Sequence, residues 1–104
     1  MQYLEVFKTC GCPGIGVAAA EWLAKQNVML LGADNFPVEV APNPDKNVSL
    51  PVHQIALVVN GIFLLENMKL AELAAKQVYE FAFVVQPLKI KGGTGSTVAP
   101  VAVR

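Results

Sequence analysis

The stretch Leu50 to Met68, LPVHQIALVVNGIFLLENM, decides how the rest of the chain is read. Its Pro51 belongs with the proline- and asparagine-rich loop that precedes it, whereas Pro13, further back, suits the first turn of a helix because its missing N–H costs nothing there. Val52 to Val59 follows as an apolar run with no turn residue, so a helix apolar nearly all round, and buried on most of its surface, is expected. Asn60-Gly61 stops it. Ile62 to Leu65 then reads as a short buried strand ending at Glu66. The segment holds the only histidine of the chain, His53, and closes on a carboxylate, Glu66. Imidazole and carboxylate at a helix start and a strand end are the two groups best placed to carry chemistry. The plainer reading of His53 is a hydrogen-bonded or capping histidine, and of Glu66 a surface carboxylate after a strand.

Working toward the N-terminus, Asp34 to Leu50 carries Pro37, Pro42 and Pro44 among Asn35, Asn43, Asn47 and Ser49. That composition reads as a long loop and the least ordered part of the chain. Loops of this length are often functional, and Asp34 and Glu39 within it are candidate oxygen ligands. Before it, Val28 to Leu31 reads as a strand, and the alanine-rich segment from about Ile15 to Gln26 as a helix stopped near Asn27. Tyr3 to Lys8 alternates weakly like a strand. Toward the C-terminus, Leu70 to Gln77 reads as a second alanine-rich helix and Glu80 to Val85 as a strand continued raggedly by Pro87 to Ile90. Gly92 to Ser96 is a glycine loop. Val98 to Val103 is a last strand, placed at an edge or bulge by Pro100. Helices alternating with apolar strands point to an α/β chain with helices packed on a sheet.

Composition bounds the function. The 104 residues suit one domain, residues 1–104; a chain of this size buries roughly two-thirds of its unfolded surface. Yet 54% of residues are apolar, the mean hydropathy is +0.46 and only 15% are charged, against about 25% in an average domain. An apolar excess of this kind marks an interface, so a homo-oligomer, a dimer or larger, is expected. Eight acidic and eight basic residues cancel. With no basic cluster, a nucleic-acid partner is not expected. The longest uncharged apolar run, Gln54 to Leu65, is 12 residues, short of the roughly 20 that span a bilayer. Glu5 and the lack of a basic start argue against a signal peptide, so a cytoplasmic location is expected. Cys10 and Cys12, one residue apart, would close a strained ring as a disulfide and read as loop thiols.

Three stretches, PGIGVAAAEWLAKQNVMLLGADNFPVE, PVHQIALVVNGIFLLENMKLAEL and YEFAFVVQPLKIKGGTGSTVAPVAV, together resemble the C-terminal half of the cyclase family. These are metal-dependent hydrolases that include kynurenine formamidase and isatin hydrolase. The resemblance runs over about residues 13–103 and rests on several motifs in order. It implies a partial swivelling β/β/α domain with a mixed sheet, usually assembled as dimers or tetramers. It also implies that His53 and Glu66 stand where the family has metal ligands. The family's remaining ligands and catalytic histidine lie in an N-terminal HxGTHxDxP motif, which this sequence lacks.

Two donors leave a divalent ion short of the three protein ligands and a water of a catalytic site, and without the ion a bound water is not activated. The expectation is therefore a cyclase-type fragment that is not catalytic by itself, with no cofactor in the isolated chain. It would act as an oligomeric small-ligand-binding or interaction protein. The site pocket would be His53, Glu66, Asp34 and Glu39. The alternatives are an amide or lactam hydrolase loaded with Zn or Mn and completed by another subunit, and a module that caps a full-length cyclase-family relative.

Overall fold

The computed structural model describes residues 14–104. The weak strand expected at Tyr3 to Lys8, and Cys10, Cys12 and Pro13, lie outside them. The contacts divide the chain after Leu70 into two compact units.

The first unit begins with helix α1, Val17–Lys25. Gly16 is its N-cap and gives no side-chain cap. The helix ends where Asn27 turns left-handed, φ 56°, with the Gln26 and Asn27 N–H groups donating to the Leu23 and Ala24 carbonyls. Asparagine tolerates this conformation better than most residues. Strand β1, Leu30–Gly32, pairs in parallel with strand β2, Phe63–Leu65, with Leu30 opposite Phe63 and Gly32 opposite Leu65. Pairing continues past both strands: Ala33 N–H donates to the Leu65 carbonyl and Met68 N–H to the Ala33 carbonyl. Between the strands lies helix α2, Pro51–His53, which widens without a break into a π-helical segment, Gln54–Val59. Gly61, at φ +65°, lets the chain reverse from this segment into β2, a geometry that side chains resist.

The core of this unit joins Ile15, Ala20 and Leu23 to Leu31, Ala33 and Val38 and to Val52, Ala56 and Ile62. Val52 and Ala56 sit four residues apart, one face of a helix, and this is the face that meets α1. The expected burial of the whole apolar run is corrected here: Val58 and Val59 are 80% and 75% exposed, and Leu57 is also exposed. A segment packed on one side buries only that side, and nothing among the described residues covers the other.

The Pro- and Asn-rich segment before Pro51 is a second correction. It forms no helix, and Ile15 and Glu39 form an isolated parallel bridge, while Val38 and Glu39 are among the most buried residues, 1% and 0% exposed. Ile15 N–H donates to the Val38 carbonyl and Val40 N–H to the Ile15 carbonyl. Prolines and asparagines mark where this segment turns, and its anchors far away in sequence decide its depth. Its outer part turns on its own side chains, Asp45 N–H donating to Asn43 Oδ1 and Asn47 N–H to Asp45 Oδ1, with Pro44 to Asn47 exposed.

The second unit, Ala71–Arg104, holds helix α3, Ala71–Ala75, and strands β3, Ala82–Val84, and β4, Val101–Val103. The helix closes with Gln77 left-handed and the Val78 N–H donating to the Leu73 carbonyl. Strands β3 and β4 pair antiparallel. Pro100 falls just before β4, where it takes no ladder bond from the sheet. Phe81 and Phe83, two apart and so on one face, meet edge-to-face with ring centroids 6.1 Å apart. No residue of this unit is buried. The chain is therefore mixed α/β, but the single mixed sheet expected from the sequence is two separate pairs, one parallel and one antiparallel. The ragged extension at Pro87 to Ile90 forms no strand.

Candidate functional site

A proline at the first position of a helix leaves the next two backbone N–H groups as the first donors needing a partner. In α2 these are Val52 and His53. Leu50, the N-cap, is left-handed at φ 48° and its side chain provides no cap. Glu39 caps the helix from across the unit instead. Its Oε2 accepts the Val52 N–H at 3.0 Å and its Oε1 the His53 N–H at 2.9 Å. The same Oε1 lies 2.5 Å from His53 Nδ1. Glu39 is the only buried charged or polar residue among those described. Three donors offset the cost of burying its charge.

Glu66 follows β2 directly. Its Oε1 accepts the Val38 N–H at 2.7 Å, so the carboxylate braces the residue next to Glu39. The same oxygen lies 3.6 Å from His53 Nε2, close enough for attraction but beyond a hydrogen bond. The imidazole thus stands between two carboxylates, Glu39 at Nδ1 and Glu66 near Nε2. The His53 and Glu66 side chains keep 27% and 17% of their surface exposed, so this pair is only partly buried.

Of the four residues expected to line the pocket, three converge. Asp34 is exposed and makes none of the cluster's hydrogen bonds. Glu39 belongs to the cluster in a role that its position in a proline-rich loop did not announce. It backs the imidazole at Nδ1, as carboxylates back metal-binding histidines, and its oxygens are taken up by donors of this chain. The direct donors are then His53 Nε2 and Glu66. These fall short of the three protein ligands of a catalytic zinc site, and no group of three or more His, Cys, Asp or Glu residues disposed to hold a metal occurs among the described residues. Among the described residues, His53 and Glu66 are two donors and not a complete metal site.

A separate open groove lies between α1 and the π-helical segment, lined by Glu21, Ala24, Lys25, Ile55, Val59 and Asn60. It holds neither His53 nor Glu66. No helix among the described residues is long and apolar enough to cross a membrane.

The fold and site define a mixed α/β chain with one carboxylate-backed histidine. No family model matches the sequence, and neither a curated protein nor a solved structure matches it.

Proposed function

We propose that the chain carries the C-terminal half of a cyclase-type swivelling β/β/α fold. It works as an oligomeric small-ligand-binding or interaction protein, not as a hydrolase by itself. The observation that carries this reading is the half-built donor set. His53 is backed at Nδ1 by a fully buried carboxylate, and Glu66 stands 3.6 Å from its Nε2, with no third donor grouped with them among the described residues. The exposed apolar side chains of the π-helical segment and β2, Val58, Val59 and Phe63, support association with another polypeptide.

A second reading is favoured by the orientation of the imidazole. A carboxylate–histidine pair with a free Nε2 is the arrangement of a zinc ligand and its outer partner. Donors from another subunit or from a full-length cyclase-family relative would complete a Zn or Mn site for amide or lactam hydrolysis.

The purified protein separates the two. Elemental analysis, light scattering, and a melting curve with added Zn²⁺ or Mn²⁺ are run on one sample, with hydrolysis of an aryl formamide assayed beside them. A dimer or larger species without stoichiometric metal, metal-dependent melting or turnover supports the first reading. Stoichiometric metal with turnover overturns it in favour of the second. A monomer at all concentrations contradicts the first reading and leaves the second only with a full-length relative as the source of the missing donors.

A further inference from the structure

We propose that Glu39 is a positioning residue that holds the neutral imidazole of His53 as its Nδ1–H tautomer. An ionised carboxylate accepts hydrogen bonds and donates none. Both oxygens of Glu39 already accept a backbone N–H from the start of α2, and the group facing them from the ring is Nδ1. Nδ1 therefore keeps its proton, and Nε2 is left with a lone pair. This reverses the preference of an unconstrained histidine, in which Nε2 carries the proton.

The consequence lies on the other side of the ring. Glu66 Oε1 stands 3.6 Å from Nε2 and already accepts the Val38 N–H. With the proton on Nδ1, Nε2 and the Glu66 carboxylate are two acceptors facing each other with nothing of their own to share. Such a pair selects for a ligand that brings a donor or a positive charge of its own. The tautomer rests only on the contacts of Glu39 and not on the half-site reading above. One carboxylate thereby ties the start of a helix to the proton position of a side chain in its first turn.

The test is a long-range ¹H–¹⁵N correlation spectrum of the metal-free, ¹⁵N-labelled protein at a pH where the imidazole is neutral. The wild type is expected to show a protonated-type Nδ1 and an unprotonated-type Nε2. Glu39→Gln, which replaces an acceptor oxygen by a donor amide, is expected to turn the Nδ1–H form from the dominant species into the minority. Glu66→Gln is expected to leave it dominant. A wild type with its proton on Nε2 overturns the proposal, as does a Glu39→Gln variant with the wild-type tautomer. Should Glu39→Gln lose its amide dispersion, the wild-type spectrum and that of Glu39→Asp, which keeps an acceptor-only group and with it the Nδ1–H form, decide instead. Metal content and assembly play no part in this readout, so its failure is distinct from failure of the proposed function.

Discussion

Residue by residue, the site is a hierarchy with Glu39 at its base. Truncating Glu39 to alanine removes a helix cap, usually about 0.5–2 kcal/mol, and strands donors at roughly 1–3 kcal/mol each where water does not replace the bond. Glu39→Ala is expected to cost on the order of 3 kcal/mol or more. His53→Ala takes away one of the three donors and is expected to cost about 1–3 kcal/mol. Urea denaturation checks the order; a His53 variant less stable than the Glu39 variant contradicts the hierarchy. Leu50 offers a contrast. A bulky residue in the left-handed region costs about 1–2 kcal/mol, so Leu50→Gly relieves strain while losing some packing and chain stiffness. The expected net is between neutral and about 1 kcal/mol stabilising, read from the same denaturation curve, and a clear loss contradicts it. His53 and Glu66 were legible in the sequence as candidate groups through their place at a helix start and a strand end, and the structure puts His53 Nε2 3.6 Å from Glu66 Oε1. The part played by Glu39 was not legible, because it depends on Ile15 and Glu66 holding a proline-rich segment inside the unit.

At the scale of elements, close approach decides which glycines can change. A Cβ on Gly14 would fall 2.2 Å from the backbone carbon of Glu39, so Gly14→Ala must push the capping segment away from α2. A Cβ on Gly16, two residues on, meets nothing within 4 Å. Gly14→Ala is expected to lower the melting temperature by several degrees and to shift the amide resonances of Val52 and His53. Gly16→Ala is expected to leave both near wild type. Equal effects at the two positions would contradict this packing. Local signals located the elements to within a few residues: α1 ends where Asn27 predicts, and the break at Asn60-Gly61 holds. The strands are shorter than their apolar runs, three residues each, because apolar character persists beyond the residues that find a ladder partner. The π-helical widening had no signal in the apolar pattern, which is continuous through it.

For the whole molecule, the apolar excess is the property that composition announced and the surface retains. Met29 and Phe63, joined by a backbone hydrogen bond, are 79% and 65% exposed. A charge placed at Val58, which is largely exposed, should leave the fold of the first unit intact and weaken association. Val58→Glu is expected to shift the light-scattering mass toward monomer with an unchanged far-UV circular dichroism spectrum. An unchanged mass would contradict association through this surface. The division into a parallel and an antiparallel pair was not readable from the order of elements, since alternation of helix and strand fixes neither which strands become neighbours nor how many sheets result.

The widened turn from Gln54 to Val59 gives the chain a tolerance in length. Each of its rings encloses one residue more than an α-turn does, so a copy of this gene shortened by one codon there can close the gap by winding more tightly. His53, upstream, would keep its hold on Glu39, and Glu66, fastened beyond the following strand, would keep its place. Natural gain and loss of single residues should therefore accumulate inside these six positions, where a frame of spare backbone absorbs them, and be rare between Pro51 and His53.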